Sequence, residues 1–467
     1  MSDKSNLTQG SVGYKLFGLA GPMVFGLIAV LSQSLVDTYF VGKLGTTQLA
    51  ALSFTFPVSL TFTSLAIGLS AGASSIVSRV IGSGDQRQAK CWVTDGLLFS
   101  GVIASVLAVI GLLTVTPLFT VLGASEEALG FIERYMMIWY ISMPCLVVGI
   151  VGHGAMRANG EGTLPSVIMV GAALINMGMT PVLMLGLWIF PELNIEGVAL
   201  ATLMSRIVLV VVTLALLRWG MNIMVLRLPS WSQWMQASRT IAKLAGPAGA
   251  GNMANPIGIA MVTALLAAYG NTTVAAFGVA TRIEAFACLP MLAMSSAIGP
   301  FAGQNWGAGN LGRIKQALNI SALVCAVNSG LLILAFWLFG ETIAGLFASD
   351  QSVKQEAAVY LLYVSSSLWG YGLVITTAAA FNGIGRSEIG LAYYAIRMLL
   401  LYVPLSYGAT LIGDQQAVYV AIGIANVLAG LISIGWAFWW LAYYRKHQAK
   451  RCSDSDGRSA HRSNVTA

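Results

Sequence analysis

The tetrapeptide LAGP at residues 19–22 returns as LAGP at residues 244–247, an offset of 225. At that offset Gly45 meets Gly270, Ala50 and Ala51 meet Ala275 and Ala276, and Gly82 and Gly84 meet Gly307 and Gly309. Lys90 meets Lys315, Tyr135 meets Tyr360 and Gly160 meets Gly385. A register held over about 140 residues is the mark of a duplication. Both copies open inside long apolar stretches. Working outward, such stretches cover roughly 17–41, 49–78, 92–116, 134–156, 164–190 and 197–217 in the first copy. They cover 244–269, 275–303, 317–340, 357–382, 389–412 and 417–444 in the second. Six spans separate the copies, so both have the same orientation and form parallel repeats about an axis along the membrane normal.

Composition agrees. Of 467 residues, 57% are hydrophobic and only 9% charged, with mean hydropathy +0.77. A soluble chain carries about 25% charged residues, so a soluble enzyme, a nucleic-acid binder and a disordered protein are all poor fits. Twelve spans of about 20 residues need about 240 apolar-dominated positions, which the chain supplies. The fold expected is therefore all-α and integral to the membrane: twelve transmembrane helices in two parallel-repeat six-helix lobes around a central cavity. Its parts are a cytoplasmic N-terminus (1–16), an N-lobe with helices 1–6 (17–217), a cytoplasmic linker (218–243), a C-lobe with helices 7–12 (244–444) and a disordered cytoplasmic tail (445–467). No cleavable signal peptide is expected, because the polar first 15 residues lack an apolar core.

Loop charges test this topology. With both termini cytoplasmic, the inner loops and tails hold 19 Lys and Arg, among them Arg79, Arg87, Lys90, Arg218, Arg227, Arg239 and Lys243. The outer side holds three, Lys43, Arg134 and Lys354. That asymmetry is the positive-inside pattern and places the chain in the plasma (cell inner) membrane as a multi-pass protein. It also accounts for the net charge of +7 without a nucleic-acid partner. The five cysteines, Cys91, Cys145, Cys288, Cys325 and Cys452, stand singly and show neither metal-ligand nor disulfide spacing.

A charge inside a span is costly and is a functional candidate by default. Asp37, in LSQSLVDTYFVGKLG (31–45), lies about five residues before the outer loop at Gly42. Buried there, it can act as a proton acceptor that toggles, or its oxygens can hold Na⁺. At the repeat offset Asp37 meets Val262, so this acid belongs to the first copy alone. In the fifth span Asn176 and Thr180 are four apart and share a helix face, with Pro181 following, and Thr202 stands in the sixth. These neutral groups can complete a proton-linked network or a Na⁺ shell; ordinary helix–helix hydrogen bonding is the plainer reading. In the eighth span Arg282 and Glu284, two apart, point in different directions, and a structural ion pair is as good a reading as a function. Arg206 and Arg397 are single intramembrane arginines expected to snorkel to an interface. Asp95 is expected at the interface, and His153 as satisfied structure. Gly82-Ser83-Gly84 and Gly307-Ala308-Gly309 read as turns. No Walker lysine loop and no zinc-site spacing is present, so no cofactor and no enzymatic chemistry is expected.

With these residues in place, the chain resembles the multidrug and toxic compound extrusion (MATE) family, in its DinF-like branch. The resemblance rests on VDTYFVGKLGTTQLAALS (36–53), SRVIGSGD (78–85) and FGVATRIEAFACLPMLAMSSAIGPFAGQNWGAGN (277–310) and covers nearly the whole chain except the tail. It implies cation-driven export of bulky, often cationic or aromatic compounds, and with it antibiotic resistance. It matches Asp37 to the family's first-helix acid, Asn176 to the fifth-helix asparagine, Thr202 to the sixth-helix threonine, and Pro22 to a first-helix proline that serves as a bend point. Thr180 departs from the branch, which often has an aspartate there, leaving Asp37 as the main switch. Asn255 stands where another branch places a seventh-helix acid, so Arg282, Glu284 and Asn255 are grouped as C-lobe polar candidates. The function expected is a monomeric secondary antiporter that exports drugs or toxic compounds in exchange for H⁺ or Na⁺, with membrane lipid around it. The alternative is a lipid or lipid-linked saccharide flippase, which calls for a strongly basic cavity, and only Arg206, Arg282 and Arg397 are available. A channel calls for a selectivity filter, and a membrane enzyme for a catalytic cluster at one depth; the sequence offers neither.

Overall fold

The structure, a computed structural model, describes residues 6–227 and 229–447. It is helical throughout, with no strand among the described residues. In chain order the helices are α1 (Val12–Leu44), α2 (Thr46–Gly82), α3 (Gln86–Val121), α4 (Glu126–Ala158), α5 (Thr163–Met184), α6 (Asn194–Gly220) and α7 (Trp231–Tyr269). Then come α8 (Asn271–Ala287), α9 (Leu289–Gly307), α10 (Leu311–Gly345), α11 (Gln351–Ser365), α12 (Leu368–Gly383), α13 (Ser387–Thr410) and α14 (Gln415–His447). Ten of these are long and apolar enough to cross a membrane, and the pairs α8–α9 and α11–α12 each make one bent span, giving twelve. Several exceed the ~20 residues a bilayer requires, so the spans project beyond it or tilt.

The apolar stretches 275–303 and 357–382 thus each form one span, but a bent one. The α8–α9 axis turns by 49° and the α11–α12 axis by 57°. Pro290 at the start of α9 has no amide hydrogen to continue the ladder from α8. At the second bend Ser365, Ser366 and Ser367 each donate a hydroxyl to a carbonyl three residues back. That local competition for backbone acceptors bends helices. By contrast α1 runs unbroken through Pro22.

The polar stretch 218–243 is also more ordered than a linker. Arg218 lies in a π-helical turn that ends α6, and Arg239 and Lys243 ride on α7. Ser230 and Gln233 cap α7 reciprocally, satisfying amide groups that a helix start leaves open. The connecting segment between them is pinned to the N-lobe: Arg227 Nη2 donates to both Asp95 oxygens at 2.9 and 3.1 Å. Asp95 is thus buried and paired. The expected tail lies, beyond His447, outside the described residues.

Each lobe has its own apolar core, but the lobes exchange helix ends. Leu16, Leu19 and Met23 of α1 pack in the C-lobe core, and Ile241, Leu244 and Ala245 of α7 pack in the N-lobe core. Side-chain hydrogen bonds between the lobes, among the described residues, all lie at the end of the bundle that carries the termini. Ser75 Oγ donates to the Gly383 carbonyl at 3.1 Å. Gln304 Nε2 donates to the Ala158 carbonyl at 2.8 Å, while its oxygen accepts the Leu7 amide at 3.0 Å. Small residues allow the approach: a Cβ on Gly68 would lie 2.5 Å from the Gly249 backbone, and one on Gly307 would strike the Arg79 carbonyl. The lobes are therefore closed against each other at the terminal end.

Candidate functional site

Asp37 sits seven residues from the end of α1, roughly 10 Å of helix rise, because the helix extends past the predicted loop to Leu44. Its side chain is half-buried against α5 and α6. Thr180 Oγ1 donates to Asp37 Oδ1 at 3.0 Å. With the Asn176 carboxamide turned to satisfy both neighbours, its nitrogen donates to Asp37 Oδ1 at 3.1 Å. Its oxygen then accepts the Thr202 hydroxyl at 3.1 Å and the Thr202 amide at 3.2 Å. Asn176, Thr180 and Thr202 are all buried. The sequence placed these four residues on three different spans, and the structure brings them into one cluster. Two hydrogen-bond donors point at a single carboxylate, which stabilises the ionised form yet leaves Oδ2 without a bond among the described residues. Such a group can take and release a small cation.

The cluster also holds a residue assigned to the membrane surface. Arg206 does not snorkel: Nη1 donates to Ser142 Oγ at 2.5 Å and the guanidinium lies 5.1 Å from the centre of the Trp139 ring. From there it acts electrostatically on Asp37. His153 is satisfied structure, its Nε2 lying 3.2 Å from the Thr213 hydroxyl.

The C-lobe candidates divide. Arg282 is exposed and has no bonded partner among the described residues, so it does not join Glu284. Glu284 Oε2 instead accepts the Tyr360 hydroxyl at 3.0 Å. Asn255 belongs to a second network, with Arg397 and with two residues the sequence reading left out, Asn426 and Ser367. Arg397 Nη1 donates to Asn255 Oδ1 and Nε donates to Asn426 Oδ1, both at 2.9 Å, and Asn426 Nδ2 donates to Ser367 Oγ at 3.1 Å. The guanidinium carbon lies 4.3 Å from the Tyr371 ring centre and 5.4 Å from that of Tyr402. Arg397 is only 3% exposed and so, like Arg206, does not snorkel. Asn426, a lone amide in AIGIANVLAG (421–430), was the available signal for this network. No group of three or more His, Cys, Asp or Glu that could hold a metal occurs among the described residues.

Comparison with known proteins agrees with this architecture. The MatE family model matches twice, at residues 22–182 and 247–408, once per lobe. An "FAD transporter" of Shewanella oneidensis is 36% identical over 439 residues, covering 92% of this chain and 95% of the relative. A "Probable multidrug resistance protein YoeA" of Bacillus subtilis is 26% identical over 75% of this chain and 76% of its own length. Among solved structures, the Vibrio cholerae MATE transporter VcmN in its bent form superposes with TM-score 0.86 at 26% identity, covering 93% of this chain and 98% of that one. A Pyrococcus furiosus transporter of the MOP superfamily superposes with TM-score 0.88 at 24% identity, covering 95% and 98%. Two family matches in register with the internal repeat, on a twelve-span bundle, mean that the chain belongs to the MatE family of multidrug and toxic compound extrusion transporters.

Proposed function

We propose that this transporter is a secondary exporter of bulky aromatic compounds, driven by H⁺ or Na⁺ that enters from the far side and binds at Asp37. The observation that carries the reading is the convergence of Thr180 and Asn176 on one Asp37 oxygen, with Thr202 behind them, in one lobe only. Binding a cation at Oδ2 weakens the pull of that carboxylate on its two donors. α1 and α5 can then repack, with Pro22 as the place where α1, missing one backbone hydrogen bond, bends. The ion drives export only if it binds the two conformations with different affinity. Of the two ions the geometry favours H⁺: the cluster offers one carboxylate, its neighbours turn N–H and O–H groups toward it, and Arg206 adds a positive charge. Na⁺ calls for a shell of oxygens.

The relatives support this choice of cargo. One relative is named for FAD, and others, such as "Multidrug export protein MepA" of Staphylococcus aureus at 22% identity, for drugs. FAD carries a large planar aromatic ring system, and bulky aromatic compounds are what the resemblance to the family implies. On this proposal the termini are cytoplasmic, as the loop charges indicate, the membrane is the inner one, the transporter is monomeric, and the terminal-end closure described above is an outward-facing state. The linker and tail are then cytoplasmic, and drug export confers antibiotic resistance.

The test uses proteoliposomes loaded with an aromatic dye, with pH and Na⁺ gradients imposed separately. The wild type is expected to export against a gradient when driven by pH, and Asp37→Asn to lose that response. Gradient-driven export by Asp37→Asn equal to the wild type would return Asp37 to a packing role.

A further inference from the structure

Both halves of the duplicated chain build a polar cluster on equivalent spans. In the N-lobe it lies on α1, α5 and α6; in the C-lobe it lies on α7, α13 and α14. At the 225 offset Asn426 falls one residue from Thr202, Arg397 four residues from Asn176, and Asn255 seven residues from Asp37. By that register Asn426 is level with Thr202, whereas Arg397 and Asn255 lie about one and two helical turns nearer the terminal end. The charge is opposite: a carboxylate in one lobe, a guanidinium in the other.

That guanidinium is held rigidly and left unneutralised at contact. Its two bonded acceptors, Asn255 and Asn426, are uncharged. None of the ion pairs among the described residues, Arg134–Glu196, Arg227–Asp95 and Arg386–Glu388, involves it. Glu284 is bonded to Tyr360 and reaches Arg397 only through space. Two of the five N–H donors are used, which leaves three. The bond to Asn426 is buried, but the bond to Asn255 is only partly so, and Asn255 itself is half-buried on α7. Tyr371, also half-buried, lays its ring against the same guanidinium. Tying α13 to α14 needs only a neutral amide, whereas a full charge at membrane depth is expensive.

Building on the reading above that the cargo is aromatic, we propose that Arg397, Asn255 and Tyr371 form a recognition site for the phosphate of an anionic aromatic phosphate ester. The planar fork suits two phosphate oxygens, and the face of Tyr371 opposite the guanidinium suits an adjoining ring. The exporter thus divides its labour: the acid of the N-lobe takes the driving cation, and the cation of the C-lobe takes the acidic end of the cargo. Glu284 limits the hold on that anion by repulsion, so that it can be released.

Equilibrium binding to the purified transporter in nanodiscs of neutral lipid tests this without requiring transport, using FAD and riboflavin, which share a ring system but differ in phosphate. The wild type is expected to prefer FAD. Arg397→Gln is expected to lower the FAD-to-riboflavin preference about tenfold or more, as loss of a charge-assisted pair would, and Glu284→Gln to raise it severalfold. Should Arg397→Gln fail to fold, the Glu284→Gln result and a loss of FAD binding with added salt decide the matter. An unchanged preference in Arg397→Gln, or Arg397-dependent binding of short-chain phosphatidylglycerol in place of FAD, would overturn the proposal, the latter pointing to a lipid headgroup. Failure of the wild type to export a dye under a pH gradient would strike the underlying reading instead and leave these binding ratios readable.

Discussion

At the scale of single residues, the working part of the N-lobe is one carboxylate and the groups that aim at it. Thr180→Ala removes one hydrogen bond to the Asp37 carboxylate, worth about 1.5 kcal/mol. The ion concentration for half-maximal export should shift by roughly tenfold while gradient dependence survives. A second substitution adds charge: Thr180→Asp should make export respond to Na⁺ as well as pH, because two carboxylates offer more oxygen ligands to a metal ion than one. Export rates measured against Na⁺ at fixed pH check this, and a response identical to wild type would mean that position 180 does not face the ion. Asp37 could be found in the sequence because an acid in an apolar stretch is rare and its cost demands a reason. Asn176 and Thr180 could be found through their four-residue spacing. The surroundings of Arg206 and Arg397 could not. Each arginine is held inward by a partner on a distant helix, Ser142 and Trp139 on α4 or Asn426 on α14. Nothing in a one-dimensional pattern tells a buried arginine from one that reaches the interface.

At the scale of helices, turns and close packing decide which conformations are available. Several of the glycines that first revealed the duplication are turn glycines. Gly84 and Gly309 have φ of +93° and +76°, and Gly160 and Gly385 have +81° and +84°. A side chain there costs about 1–2 kcal/mol, so Gly84→Ala and Gly309→Ala should each lower Tm by a few degrees without altering ion dependence. Gly307 acts differently, since a Cβ there strikes the Arg79 carbonyl across the lobe boundary. Gly307→Leu should hold the terminal end open, so that a cysteine placed nearby reacts with an impermeant thiol reagent several times faster than in the wild-type background. Equal reaction rates would show that this contact does not govern closure. Span number followed directly from hydropathy. The bends at Cys288 and at Ser366–Ser367 did not, because hydropathy is blind to direction. Their causes, a proline without an amide hydrogen and three serine hydroxyls bonded to the backbone, are local and were in view.

At the scale of the whole molecule, two lobes of common ancestry have diverged in charge, and the difference organises transport. One unit charge falling through about 100 mV releases about 2.3 kcal/mol, which alone supports roughly fiftyfold accumulation of a neutral cargo per ion, and an ion concentration gradient adds to it. Because coupling is reciprocal in binding energy, the cargo should in turn weaken ion binding at Asp37. The most direct measurement compares two fluxes through Asp37→Asn in the same vesicles: uphill export under an imposed pH gradient, and exchange of labelled for unlabelled cargo with no gradient. The account predicts that uphill export is abolished while exchange continues within about threefold of the wild type, since an uncharged amide mimics the ion-loaded carboxyl. Sustained uphill export by Asp37→Asn would contradict it.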